Sequence, residues 1–302
     1  PYNIRTEVKQ PSAASAVDWE NLTFGRTFSD HMFVVDFDGQ DWVDPRIVPY
    51  GPMSFDPAIS AIHYGQSIFE GLKAYKGADG KVRVFRPEMN ARRLNHSATR
   101  MCMATLPESL FLEGLNRLLA LDSDWVYPAE GYSLYIRPFM FATEAYLGIK
   151  PSDTYRFIIM TSPVKAYYQG AIRVKVERHY TRAASGGTGS AKAAGNYAAS
   201  LYPAKLAQEQ GFRQLIWTDA ASHEYLEESG TMNLFFMKNG VLHTPSTESD
   251  TILSGVTRDS ILCLAKSWGV PVETRRIKVT ELQEGLREGS VTELFGAGTA
   301  AT

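Results

Sequence analysis

The sequence predicts a mixed α/β fold divided between two domains. Its 302 residues exceed what one ordinary hydrophobic core holds and suit two. Segments with helical apolar spacing interleave with segments that alternate at strand spacing. Between two strand signals lies "SPVKAYYQGA" (162–171), a stretch of Pro, Gly and polar residues that reads as an interdomain connection. The expected division is a small α+β domain over 1–165, a linker over 166–176 and a larger domain over 177–302.

Taken in order, residues 1–20 read as a loose arm, and "HMFVVDF" (31–37) as a strand. "GLKAYKGADGKVRVF" (71–85) reads as a hairpin turning at Asp79-Gly80. "MNARRLNHSATRM" and "LFLEGLNRLLAL" carry helical spacing, while "YSLYIRPFMFA" (132–142) and "YRFIIMTSP" (155–163) are strands. "IRVKVERHY" opens the second half. "GNYAASLYPAKLAQEQGF" is a helix stopping near Gly211, and "RQLIWTD" is a strand. "NLFFMKNGVLHTP" folds as a hairpin on Asn239-Gly240. "SGVTRDSILCLAKSWG" enters a helix at Thr257, behind a hydroxyl or acidic start signal, and stops at Gly269. "VTELFGAGTAAT" is a strand running into a Gly-rich turn, an abrupt end that predicts an incomplete C-terminal part. The first residue is not Met, so residues are expected before it too.

Composition excludes several classes of function. The net charge is −2, and no basic run interleaves with aromatics, so no nucleic-acid partner is expected. No apolar run reaches the length of a membrane span, and the acid-bearing N-terminus is neither a secretory signal nor a transit peptide. Cys102 and Cys263 sit in apolar surroundings and read as packed thiols of a reducing, cytoplasmic compartment. Six scattered histidines lack ligand spacing, so no metal site is expected.

The chemistry centres on "GGTGSAKAAGNY" (186–197) and its single lysine, Lys192. A lysine between alanines at a helix start is commonly a solvated charge. A phosphate loop requires Gly directly before the lysine and Ser or Thr directly after; Ala191 and Ala193 stand there instead. The remaining reading is a lysine nucleophile, whose small neighbours admit a flat cofactor ring. Pyridoxal phosphate would further need an anion for its pyridinium nitrogen, a partner for its phenolic oxygen and a phosphate cup. "YLEESGTMNLFF" offers Glu227 or Glu228 as the anion, and Tyr197 follows Lys192 by five residues, on a shared helix face. The cup has candidates in the helix start at Val256 and Thr257, in Thr299 of "GAGTA", and in Arg92 or Arg93. Each of these alone has an ordinary structural explanation.

Together the motifs resemble the branched-chain amino acid aminotransferases, class IV pyridoxal phosphate enzymes of fold type IV, D-amino acid aminotransferase-like. The resemblance runs through "FGRTFSDHM", "HYGQSIFEGLKAYKG", "VFRPEMNARRL", "SLYIRPF", "AKAAGNY", "EESGTMNLF", "ILSGVTRDSI" and "ELFGAGTAA". It implies pyridoxal 5'-phosphate as cofactor and Lys192 as the Schiff-base lysine. It implies Tyr197 on the phenolic oxygen and Glu228 on the pyridine nitrogen. Arg93, Val256, Thr257 and Thr299 are implied at the phosphate, and Arg182 in the cofactor site. Phe24, Tyr64, Phe69, Lys73, Tyr135, Arg137, Tyr167, Thr231 and Ala300 are implied around the substrate, although aromatics at strand positions are ordinarily core.

The activity implied is ping-pong transfer of an amino group between leucine, isoleucine or valine and 2-oxoglutarate, with glutamate and 2-oxo acids as the other substrates and products. Lys192 would serve as base and then acid, and Arg137 would receive the distal carboxylate of glutamate. A homodimer with the cofactor between the domains is also implied. Ala301 occupies the first position of the Cys-x-x-Cys pair of animal members, so thiol regulation is not expected. Related enzymes of the fold act on D-amino acids, amines or aminodeoxychorismate; a pyridoxal phosphate lyase and a phosphate-ligand binding module are the readings from other classes.

Overall fold

A computed structural model of the chain describes residues 2–165 and 170–299. The chain divides into two compact units, Pro1–Tyr167 and Tyr168–Thr302.

The first unit contains β1 (Arg5–Thr6), β2 (His31–Phe37), β3 (Trp42–Pro49), α1 (Ser60–Tyr64), β4 (Ser67–Phe69), β5 (Leu72–Lys76) and β6 (Val82–Val84). It continues with α2 (Pro87–Arg100), α3 (Glu108–Leu121), β7 (Tyr132–Ala142) and β8 (Tyr155–Lys165). The strands form one sheet ordered β1-β3-β2-β8-β7-β5-β6, with β4 also on β7. Side chains alternate across a strand. Phe33, Val35, Ile68, Leu72, Ala74, Leu134, Ile136, Phe157 and Ile159 therefore share the main core with Leu94, Leu115 and Leu118 of α2 and α3. Residues of opposite parity, Phe69, Lys73, Tyr135 and Arg137 among them, belong to the other face of the sheet.

Two expectations for this unit change. Residues 1–20 are not a loose arm. Arg5 and Thr6 pair with Arg46 and Ile47, Ile4 is buried, and Asp30 accepts hydrogen bonds from Ser12 Oγ (2.7 Å) and the Ala13 amide. The backbone amide of Lys9 donates to His31 Nε2 (2.9 Å), while His31 Nδ1 meets Asp122 at 2.6 Å. Polar anchors hold this segment, and an apolar pattern does not report them. The second change is at the end of the unit, where β8 runs on to Lys165, with Pro163 opposite Leu134. The strand expected over 155–163 includes this proline and runs two residues further than expected. Residues 162–165 thus leave the expected connection, and 166–169 lie outside the described residues.

The second unit contains β9 (Val174–Val176), α4 (Ala194–Glu209), β10 (Gln214–Thr218), β11 (Leu226–Ser229), β12 (Met232–Lys238) and β13 (Val241–Pro245). It ends with α5 (Val256–Ser267), β14 (Val272–Arg275), α6 (Val279–Glu288) and β15 (Val291–Ala297). Its sheet is ordered β14-β13-β12-β11-β10-β9, and β15 pairs along β12. Residues 174–176, expected in the linker, are an edge strand parallel to β10. Helix α5 starts one residue early, at Val256, with Gly255 as its cap and no side-chain cap hydrogen bond. The expected hydroxyl signal is therefore not what starts it. Cys102 and Cys263 are both exposed, so they are not the packed thiols their apolar neighbours suggested. Cys102 has a φ of 53°, just past the cap of α2, and the turn there carries its side chain out of the core.

Candidate active site

In the second unit the loop before α4 is fixed from beneath by a buried asparagine. Asn196 Nδ2 donates to the carbonyls of Thr188 (2.8 Å) and Ala191 (2.9 Å), and Thr188 Oγ1 donates to Asn196 Oδ1 at 2.6 Å. Ala191 and Ala193 are buried on either side of Lys192. This anchoring presents Lys192 Nζ to Tyr197 Oη at 2.8 Å; Lys192 lies in the turn before α4, so the two residues meet without sharing the helix face expected of them. Asn196 was not among the expected residues; its only signal is a polar side chain inside an otherwise small, apolar helix start.

Glu228 is buried on β11 and accepts from the Leu253 amide at 2.5 Å. Arg182 Nε stands 3.3 Å from Glu228 Oε2, and its guanidinium also donates to the carbonyls of Thr251 and Gly189. The hairpin that follows turns at Gly230, whose φ is 57° and whose missing Cβ makes room for Gln214. Thr231, Asn233 and Leu253 then join Arg182, Tyr197 and Glu228 around one cavity of this unit. Of the two acids left open by the sequence, Glu228 lines this cavity. Glu227 faces a different one; burial pushes its carboxyl above the usual carboxylate range, and the charge of Glu228 adds to that.

Asn233 also connects the phosphate candidates. Its Nδ2 donates to the Leu253 carbonyl at 2.9 Å, and Gly255 packs directly against its Oδ1. Val256 and Thr257 therefore open α5 beside the cavity wall, where first-turn amides lack intrahelical partners. On β15, Ala297 pairs with Asn233, which brings Thr299 to the same end of β12. Ala300 lies outside the described residues, as does Ala301.

The first unit assembles a second group on the sheet face opposite its helices. The Arg137 guanidinium lies 4.5 Å from the centroid of the Phe69 ring and donates to Tyr135 Oη at 2.8 Å. Phe24 meets Tyr135 edge-on at 5.1 Å, and Lys73 pairs with Tyr135 across β5 and β7. Burial lowers the Lys73 amine below its ordinary value. Arg137 Nε is buried without a hydrogen-bond partner among the described residues. Tyr64 stands apart: it is exposed, and its hydroxyl donates to the Leu147 carbonyl. Tyr167 lies outside the described residues.

Of the two adjacent arginines, Arg92 is exposed beside Glu108, whereas Arg93 is held by Glu70. Two hydrogen bonds of 2.8 Å join Arg93 to that fully buried carboxylate, which also accepts from Asn90 at 2.8 Å. Glu70 was not anticipated. A lone acid between Phe69 and Gly71 carries no chemical pattern, and only the fold reveals its partner. Among the described residues, no group of three or more His, Cys, Asp or Glu side chains could hold a metal ion, and no helix is long and apolar enough to cross a membrane.

Comparison with known proteins identifies the family of the chain. The amino-transferase class IV family profile matches residues 67–301. The branched-chain-amino-acid aminotransferase 2 of Bacillus subtilis is 48% identical over 300 residues, covering 98% of this chain and 81% of its own length. The crystal structure of the Escherichia coli branched-chain amino acid aminotransferase superposes with a TM-score of 0.74 at 29% identity, covering 90% of this chain and 84% of that one. The PLP-form of the branched-chain amino acid aminotransferase from Thermobaculum terrenum shares the fold, with a TM-score of 0.73 at 22% identity over 90% and 83% of the two chains. The chain therefore belongs to the class IV aminotransferases and, within them, to the branched-chain amino acid aminotransferase family.

Proposed function

We propose that this protein moves an amino group between L-leucine, L-isoleucine or L-valine and 2-oxoglutarate, with pyridoxal 5'-phosphate as cofactor. The observation that carries this reading is Lys192 Nζ hydrogen-bonded to Tyr197 Oη in the unit whose cavity is lined by Tyr197, Arg182 and the buried Glu228. An amine, a phenol and a buried anion are three of the groups this cofactor requires of a protein, and all three are present in this unit. When bound, pyridoxal phosphate supplies an aldehyde for the amino group and a ring that takes up electrons.

Lys192 Nζ takes the proton from the α-carbon of the amino acid as a base and later returns a proton as an acid. Tyr197 Oη orients that amine and serves the phenolic oxygen. Glu228 would meet the ring nitrogen, and Arg182 stands 3.3 Å from Glu228 Oε2 and orients that carboxylate. Val256 and Thr257 offer first-turn amides to the phosphate, Thr299 a hydroxyl and Arg93 a guanidinium. Phe24, Tyr64, Phe69, Lys73, Tyr135, Tyr167, Thr231 and Ala300 are assigned to the substrate side, with Arg137 for the distal carboxylate. The unpartnered Nε of Arg137 supports that last role. We assign the active form to a cytoplasmic homodimer, which sedimentation and fractionation test.

The deciding experiment uses leucine and 2-oxoglutarate with the purified holoenzyme, followed by borohydride reduction and peptide mapping. Glutamate should accumulate, and the cofactor label should map to Lys192. No glutamate, or a label on another lysine, would reject the reading.

A further inference from the structure

Strand β11 carries two glutamates in succession, and neighbouring strand residues point to opposite faces. Glu228 lines the cavity with Arg182 and Tyr197, whereas Glu227 lines a separate cavity with Tyr225 and Ile252. Residues 251–253 form a wall common to both, since Thr251 and Ile252 face the second cavity and Leu253 the first. Each glutamate holds this wall. Thr251 Oγ1 donates to Glu227 Oε1 at 2.6 Å, and the Leu253 amide donates to Glu228 Oε1 at 2.5 Å. Arg182 completes the arrangement by donating to the Thr251 carbonyl while standing 3.3 Å from Glu228 Oε2. Thr251 is thus gripped at its hydroxyl by Glu227, with Ser249 Oγ also at 2.8 Å, and at its carbonyl by Arg182.

We infer that Glu227 is a positioning residue for the transamination: through Thr251 it sets Arg182, and through Arg182 the carboxylate of Glu228. The inference rests on the pyridoxal phosphate reading above, and it concerns a residue that does not line the Glu228 cavity. Arg182, Glu228 and Asp219 are among the charged groups acting on Glu227, and Arg276 lines the same cavity. Burial favours its neutral form, and Glu228 and Asp219 favour it further, against Thr251 and Arg182. A neutral acceptor at this position would still take the hydrogen bond from Thr251. Glu227 Oε2 is buried with no hydrogen-bond partner among the described residues, so an amide of the same shape in its place breaks no hydrogen bond there.

The test compares Glu227→Gln, Glu227→Ala, Thr251→Val and the Glu227→Ala/Thr251→Val double variant with the unaltered protein. Two quantities are measured: the affinity of the apoenzyme for pyridoxal 5'-phosphate by fluorescence titration, and the pH midpoint of the visible band of the holoenzyme. Glu227→Gln should keep both, with affinity within about twofold. Glu227→Ala and Thr251→Val should each weaken cofactor binding about tenfold and move the midpoint, because both release the Thr251–Glu227 hydrogen bond, Thr251→Val releasing the one to Ser249 as well. The double variant should be no worse than the singles, as expected of residues acting as one unit. If Glu227→Ala fails to fold, Thr251→Val, nearly isosteric, carries the test. Unchanged affinity and midpoint in Thr251→Val would overturn the inference, as would a glutamine variant as impaired as the alanine one. Loss of the visible band from the unaltered protein would instead reject the cofactor reading itself.

Discussion

Arg137 is a cation laid across aromatic rings, with one buried donor unpartnered among the described residues. An apolar pocket disfavours a carboxylate through desolvation, and a guanidinium at its wall offsets that cost. Replacing Arg137 with Met should therefore raise KM for 2-oxoglutarate about tenfold or more and change KM for leucine by less than about threefold. Steady-state kinetics with each substrate varied decide this; equal losses would remove Arg137 from the role. Glu70 presents the converse case, a fully buried carboxylate whose partner is Arg93. Glu70→Ala would leave that guanidinium poorly compensated and should cost about 3 kcal/mol in denaturant unfolding. Glu227 makes a prediction about pH. Because its folded pKa is raised, its contribution to stability is complete below the unfolded value and is lost as pH rises through the folded one. Glu227→Gln should therefore gain thermal stability relative to the unaltered protein as pH is raised, and a constant difference across the range would contradict this. At this scale the motifs singled out Lys192 and Tyr197, whose side chains the structure brings together, and left Glu227 and Glu228 open until the family resemblance chose between them. The sequence did not show Glu70 or Asn196, whose importance lies in partners that only folding brings near.

The elements explain where reading by pattern succeeded. Alternation in β7 separates Leu134 and Ile136, in the core, from Tyr135 and Arg137 on the opposite face, and the residues alone predict that strand from end to end. The hairpin turning at Asn239-Gly240 was equally legible from its turn dipeptide. Pattern reading stopped short at the end of β8, which runs two residues past the expected strand to Lys165, and failed where an element was too short to show a period, as in the four-residue β11. The loop before α4 belongs to this scale as well, since the Asn196 side chain hydrogen-bonds to Thr188 and Ala191. Asn196→Ala should lower stability by about 2 kcal/mol and leave Lys192 less well aimed, so kcat should fall more than KM rises. Stopped-flow measurement of the leucine half-reaction reads this directly, and an unaltered half-reaction rate would contradict it.

The whole molecule has a large core under the first sheet, and smaller apolar clusters around the second. Neither sheet shares a strand with the other. Strand order was beyond the reach of the sequence, because β2 beside β8 and β12 beside β15 join residues far apart in the chain. Residues 1–165 produced alone should fold, given that their core is closed by α2, α3 and the anchored N-terminal segment. Far-ultraviolet circular dichroism and a cooperative melt test this, and a chain that stays unfolded would contradict it. The two exposed cysteines give the molecule a further practical property. One thiol belongs to each unit, Cys102 to the first and Cys263 to the second, with no disulfide consuming either. A maleimide donor–acceptor dye pair can therefore be attached without mutagenesis, and energy transfer between the dyes would follow the separation of the two halves in single molecules during turnover.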